Sequence, residues 1–135
     1  MKLNFTMSEL IASETAKKNG INNIPNDKQI LDNLLLLITE CLQPIRNYIG
    51  LPIQVTSGYR CQTLNNLPTI KGAKNSQHLT GQAADIVIKG MTPKQVIEKI
   101  KASGIEYDQL INEHNIWTHV SYSKDHNRKQ VLYIN

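Results

Sequence analysis

Apolar side chains at helical spacing mark the longest element predicted for this chain. Between residues 27 and 48 they recur every three or four positions, at Ile30, Leu31, Leu34, Leu35, Ile38, Leu42 and Ile45. This periodicity predicts an amphipathic helix that packs one face into the core. Gly50 follows the predicted end, and Pro44 is expected to kink the helix or to end its regular part.

Two further helices are predicted from capping signals. Thr6 and Glu9 have the spacing of a capping box, so a short helix is expected from there to about Lys18, closed by Gly20. The segment T-P-K-Q at residues 92–95 combines an N-cap, a proline at the first helical position and a capping-box glutamine. It predicts a helix that ends at Gly104.

Apolar and alternating segments predict strands over the rest of the chain, at residues 51–57, 83–88, 107–113, 117–122 and 131–134. Residues 61–75 are polar and contain Pro68 and Gly72, which indicates a long loop. Helices interspersed with hairpin-like strands predict an α+β fold, with helices packed on one face of an antiparallel sheet.

The size and charge of the chain narrow the range of functions. A chain of 135 residues with 40% hydrophobic residues fits one compact domain, residues 1–135, expected to be a monomer. Its net charge of +4 is too small to indicate nucleic-acid binding. Cys41 and Cys61 lack metal or disulfide spacing and are interpreted as free thiols. The first residues contain no apolar segment typical of a signal peptide, and no stretch approaches membrane-spanning length, so synthesis in the cytoplasm without membrane insertion is expected.

The segment S-Q-H-L-T-G-Q-A-A-D at residues 76–85 holds the clearest candidate chemistry. His78 and Asp85 are two plausible zinc ligands, and strand alternation separates Asp85 from the core-facing Ile86. His119 is the third candidate, because it alternates with the apolar Val120, whereas the remaining two histidines lie in turn-like segments. The alternative is that His78 caps a turn and Asp85 makes a structural hydrogen bond, and spacing alone does not exclude it.

Three motifs together resemble the zinc D-Ala-D-Ala carboxypeptidase family. They are SGYR at residues 57–60, SQHLTGQAADI at 76–86 and WTHVSY at 117–122, and the similarity is closest to small single-domain members from phages and prophages. The resemblance implies the hedgehog/DD-peptidase fold and a Zn²⁺ ion held by His78, Asp85 and His119. It also implies that Arg60 binds a substrate carboxylate or polarises the scissile carbonyl. The alternative for Arg60 is a solvated arginine in a turn.

The catalytic base departs from the commonest pattern of that family. Several branches have an acidic residue three positions before the last histidine and another has a histidine two before it, but Ile116 and Trp117 stand there. The hedgehog-like arrangement implies Glu113 instead. A three-residue hairpin loop would place Glu113 opposite Trp117 and on the face of His119, whereas a two-residue loop would turn it away. An ion pair with a surface lysine is the alternative for Glu113.

Two other side chains are weaker candidates for substrate binding. Ser76 is interpreted either as a hydrogen-bonding partner of the substrate or as a turn-forming residue. Trp117 is interpreted either as a wall of the site or as part of the core.

The resemblance implies a metallopeptidase that hydrolyses a stem or cross-bridge peptide of bacterial peptidoglycan. It leaves open a carboxypeptidase or an endolysin-like endopeptidase. The enzyme would act at the cell wall after release from the cytoplasm or as part of a phage particle. The rival hypothesis is a zinc-containing but catalytically silent module that binds the wall or builds a phage particle. The missing acid at the commonest base position favours this rival, and the presence of Arg60 and Glu113 opposes it.

Overall fold

The computed structural model describes residues 2–135 and combines short helices with one five-stranded sheet. The α-helices are α1 Met7–Ile11, α2 Glu14–Lys18, α3 Lys28–Leu36, α4 Gln43–Ile49, α5 Gln62–Asn65 and α6 Pro93–Ser103. The strands are β1 Gln54–Ser57, β2 Ala83–Val87, β3 Gln109–Glu113, β4 Trp117–Ser121 and β5 Gln130–Ile134. The predicted α+β fold class is therefore confirmed. No helix within residues 2–135 is both long and apolar enough to cross a membrane.

The sheet has the strand order β1-β2-β4-β3-β5, so β1 and β5 are its two edges. The first three pairings in this order are antiparallel, as predicted, but β5 runs parallel to β3. The parallel pairing arises because the chain returns to the start of β3 after β4, where the Gln130 N–H donates to the Asp108 carbonyl at 2.9 Å. The sequence pattern of β5 alone does not encode this direction.

The two faces of the sheet have different roles. Ala84, Leu110 and Val120 lie side by side on one face and are fully buried. Helix α6 covers this face with side chains that include Val96 and Ile97. The opposite face carries Asp85, His119 and Ile111 in one row across three strands, because alternate residues of a strand point to opposite sides.

The predicted helix over residues 27–48 is present but is not regular. A π-helical segment, Leu37–Leu42, separates α3 from α4, and the Gln43 N–H donates to the Ile38 carbonyl across its wider turn. Pro44 lies two residues after this segment and has no N–H to donate. The helix therefore departs from regular α-helical geometry next to the proline, as predicted. The helix continues through it.

Two other predicted boundaries were wrong. The predicted helix from Thr6 to Lys18 is two helices, because the Ser13 hydroxyl accepts from the Ala16 N–H and starts α2 as a new N-cap. The predicted loop over residues 61–75 contains the short helix α5, and the last residue of this helix, Asn65, is buried. The Thr6 capping box and the α6 helix from its Thr92 cap to Gly104 were predicted correctly.

Candidate active site

His78, Asp85 and His119 lie together on the face of the sheet opposite α6. Asp85 and His119 are direct cross-strand partners on β2 and β4, and His78 reaches them from the turn that precedes β2. One ligand atom from each residue lies within 4.8 Å of the other two, and all three residues are buried. The tertiary structure thus brings together the three side chains that the sequence analysis selected.

Hydrogen bonds orient the ring of His78 toward Asp85. Its Nδ1 lies 2.7 Å from the carbonyl oxygen of Gly58, and since a carbonyl only accepts, Nδ1 carries the proton. Its other ring nitrogen, Nε2, then faces Asp85 Oδ1 at 3.3 Å. A backbone carbonyl that holds the second ring nitrogen is the usual support of a metal-binding histidine.

The surroundings of Asp85 fit a metal ion. Its Oδ1 is buried, accepts no hydrogen bond from any residue within 2–135, and lies 3.3 Å from both His78 Nε2 and His119 Nδ1. A tetrahedron with metal–ligand bonds of about 2.0–2.1 Å has edges of about 3.3 Å. Burial by itself would raise the pKa of Asp85, but the two imidazoles more than offset it and hold that pKa well below its usual range. The donor set is that of a three-ligand zinc site.

Glu113 lies in the same cleft as these three residues. It pairs with Trp117 across a three-residue hairpin loop, while Ile111 pairs with His119, so Glu113 and His119 share one face. His114 and Asn115 in this loop both adopt left-handed conformations, with φ of 57° and 58°. The three-residue loop considered in the sequence analysis is the one present, and the carboxylate faces a cleft of about 640 Å³ together with the His–Asp–His cluster.

Arg60 lines this cleft from the segment that follows β1. Its backbone N–H donates to the His78 carbonyl at 3.0 Å, so the backbone of Arg60 is bonded to the turn that carries His78. Its side-chain Nε is buried and donates to no acceptor in the described part of the chain. Burial lowers the pKa of Arg60, and the charges of Asp85 and Glu113 partly counter this effect. Arg60 is thus half-buried at the edge of the cleft, whereas a solvated turn arginine would be exposed.

Ser76 and Trp117 also line the cleft. The Ser76 hydroxyl accepts from the His78 N–H at 3.2 Å, which is the turn-forming role considered for it. The ring of Trp117 meets that of His114 edge to face at 5.9 Å, and its buried Nε1 has no acceptor within residues 2–135. Trp117 is thus a half-buried residue that lines the cleft.

Residues outside the predicted site hold these side chains in place. Asn23 is buried; its amide donates to the carbonyls of Ile11 and Tyr59 and accepts from the Cys61 N–H, so it fixes the backbone on both sides of Arg60. Gly58 has no room for a side chain, since an added Cβ would lie 2.2 Å from the Leu10 carbonyl oxygen. The SGYR motif, which contains Gly58 and Arg60, was a sequence signal that pointed to this region.

Asp108 was likewise not selected, although it connects three parts of the structure. Its carboxylate accepts from Gln77, from the Arg128 backbone N–H and from the Arg128 guanidinium. The guanidinium hydrogen bonds, with the other donors, hold the pKa of Asp108 at about 2 despite its burial. The turn of His78 is thus joined to the segment before β5.

The cleft on this mixed sheet contains two histidines and an aspartate, beside a carboxylate and a guanidinium. This is the residue set of a hydrolytic metalloenzyme. The family model described as Peptidase M15 matches residues 3–121. The chain therefore belongs to the Peptidase M15 family, whose members are zinc-dependent peptidases related to D-Ala-D-Ala carboxypeptidases. A search of curated proteins found no significant match.

Proposed function

We propose that the chain is a zinc-dependent peptidase that hydrolyses a peptide bond in bacterial peptidoglycan, with His78, Asp85 and His119 as its metal ligands. The observation that carries this proposal is the position of Glu113, which lines one cleft with the three ligands and with Arg60. A binding module would need the metal cluster but would not need a carboxylate facing it. Membership in a peptidase family supports the same conclusion.

Each residue of the cleft has a definite role in this proposal. Zn²⁺ bound by the three ligands would polarise the scissile carbonyl and acidify water. Glu113 takes the proton from the attacking water and returns it to the leaving amine, which is general base and then general acid catalysis. Arg60 binds a carboxylate of the substrate or stabilises charge on the carbonyl oxygen, for which its fixed fork of donors is suited. Trp117 contacts the peptide, and the Ser76 hydroxyl, which accepts from the His78 N–H, still has its own O–H to donate to the peptide.

The decisive experiment compares wild type with Glu113→Gln on purified peptidoglycan. Chelation should abolish release of peptide fragments by wild type, and added zinc should restore it. Glu113→Gln should bind zinc as wild type does, yet lose about 10²- to 10⁴-fold in turnover, the range typical of general acid–base catalysis. Glu106→Gln is a matched control, since Glu106 is an exposed carboxylate paired with Lys129. Undiminished turnover in Glu113→Gln would remove Glu113 from the mechanism.

The same experiment separates an enzyme from the catalytically silent module. A silent module would bind zinc and peptidoglycan but release no fragments, with or without Glu113. Mass spectrometry of fragments from defined muropeptides would assign the bond and distinguish a carboxypeptidase from an endopeptidase. Action at the wall after release from the cytoplasm, or within a phage particle, stays a prediction.

A further inference from the structure

The cleft has a second guanidinium at the opposite edge of the sheet from Arg60. Arg60 follows the edge strand β1, Arg128 precedes the edge strand β5, and both line the cleft. The ligands Asp85 and His119 lie between them on the central strands β2 and β4. A peptide bound with its scissile bond at the metal cluster therefore has an arginine available on either side.

Arg128 is held in place before any substrate arrives. Its Nε and Nη2 donate to the two oxygens of Asp108, each at 2.9 Å, in a bidentate arrangement. Asp108 is itself buried and is fixed by the Gln77 amide at 2.7 Å. Because the guanidinium orientation is already set, little side-chain entropy is lost when it binds a ligand.

This pairing does not exhaust the hydrogen-bonding capacity of Arg128. A guanidinium has five N–H donors, and Asp108 receives two of them, which leaves three. The Arg128 side chain is 44% exposed, whereas that of Asp108 is 3% exposed, so Asp108 lies behind Arg128. The side chain in contact with the cleft is thus the cation of the pair.

The charge balance of the cleft favours an anionic ligand. Three cationic side chains line it, from Arg60, Lys71 and Arg128, and the carboxylates of Asp85, Glu113 and the Asp108 that pairs with Arg128 balance them. Bound zinc, with two positive charges, would therefore give the cleft a net positive charge. A second carboxylate on the substrate complements this distribution.

We infer that Arg128 determines substrate specificity by binding a free carboxylate of the peptide on the β5 side of the scissile bond. This inference rests on the proposed function and deepens it. The preferred substrate carries a carboxylate at that position, and the corresponding carboxamide is a poor substrate.

The test uses pairs of synthetic stem peptides that are identical except that one carboxylate flanking the scissile bond is a carboxamide. Wild type should cleave the carboxylate member of one pair with a kcat/KM about 10- to 100-fold higher, as expected for a charge-assisted bidentate contact. Arg128→Gln should abolish that preference, so that the two members of the pair are cleaved with kcat/KM values within about twofold of each other. Arg128→Lys keeps the charge without the fork and should retain part of the preference.

Lys129→Gln is the matched control, since it removes one positive charge at the residue next to Arg128. The Lys129 side chain pairs with Glu106 at 2.9 Å. This substitution should leave both rates unchanged. An equal loss on both members of every pair in Arg128→Gln, or no preference in wild type, would overturn the inference and leave Arg128 a structural partner of Asp108. Thermal denaturation of each variant identifies unfolding, and Arg128→Lys decides the question if Arg128→Gln does not fold.

A binding measurement keeps this test separate from the proposed function. Calorimetry with zinc-loaded Glu113→Gln compares the affinities of the two members of each pair without turnover. The carboxylate member should bind about 10- to 100-fold more tightly, and adding Arg128→Gln should remove the difference. Absence of cleavage by wild type would count against the peptidase proposal alone, whereas equal affinities would count against the role of Arg128.

Discussion

Replacing Gly58 by alanine tests whether the backbone around SGYR holds the metal site. The added Cβ would lie 2.2 Å from the Leu10 carbonyl oxygen and 2.9 Å from its carbon, and contacts under 3.0 Å essentially do not occur. The two segments must therefore separate by roughly 0.8 Å, the difference between 3.0 and 2.2 Å. Backbone atoms form both sides of the contact, so no flexible side chain can absorb the shift.

Such a displacement would act directly on His78. The Gly58 carbonyl holds its Nδ1 at 2.7 Å, and the next residue, Tyr59, donates its N–H to Leu10 at 2.8 Å. Loss of a hydrogen bond that orients a metal-binding histidine typically lowers metal affinity about 10- to 100-fold. Overpacking of this kind typically destabilises a fold by about 1–3 kcal/mol. We therefore expect Gly58→Ala to lower both zinc affinity and thermal stability.

Competition with a chromogenic chelator measures the zinc affinity, and denaturation of the metal-free protein measures the stability. Gly20→Ala is the matched control, since Gly20 has a φ of 64° and no atom within 4 Å of an added Cβ. It should cost about 1 kcal/mol of stability from backbone strain while zinc affinity stays unchanged. Wild-type zinc affinity in Gly58→Ala would refute the role assigned to the Gly58 carbonyl.

Three further predictions concern stability and reactivity. The pKa of Asp108 falls from 3.8 to about 2 on folding, so its ionised form stabilises the fold above about pH 4, and this stabilisation is lost as the pH falls from about 4 to 2. Asp108→Asn should lower the free energy of unfolding at pH 7 by about 1–2 kcal/mol, a range that allows for solvent screening of the half-exposed Arg128. It should also flatten the pH dependence of urea denaturation between about pH 4 and 2. A mutant with wild-type pH dependence would contradict this. Asn23→Ala leaves buried backbone groups without partners and should lower the free energy of unfolding by about 2–4 kcal/mol. Asn22→Ala removes only an exposed local hydrogen bond and should lower it by under about 1 kcal/mol in the same denaturation assay. Burial raises the pKa of the Cys41 thiol to about 12, so a thiol reagent should label only Cys61 in the native protein and both cysteines after denaturation; labelling of two thiols without unfolding would contradict the structure.

The three candidate ligands were predictable from the sequence because strand alternation is compatible with their position and because the resemblance to the carboxypeptidase family implies them. Alternation along β2 separates Asp85 from Ile86, and alternation along β4 separates His119 from Val120. Pairing of the two strands then makes Asp85 and His119 neighbours. The capping boxes at Thr6 and Thr92 were also predictable, since each rests on side chains three residues apart.

The supporting contacts were not predictable, because they join residues distant in sequence. Asn23 bonds across 36 residues to Tyr59, and Gln77 bonds across 31 residues to Asp108. An asparagine or a glutamine in a polar segment is typical of loops, so nothing in its local pattern distinguishes a buried bridging residue from a solvated one. The direction of β5 has the same origin, since it depends on how the chain between β4 and β5 returns to the start of β3.

The sequence by itself determined the fold class and the capping boxes at Thr6 and Thr92, which depend on residue type and short-range spacing. It also gave three candidate ligands, through the motifs shared with the carboxypeptidase family. Only the tertiary structure decided the position of Glu113, because loop length and register together set the sheet face on which it lies. It also decided that Arg60 and Arg128, 68 positions apart in the printed sequence, line one cleft from opposite edges of the sheet. The types of side chain available for chemistry are thus encoded locally, whereas the cleft in which they meet depends on the order of the strands.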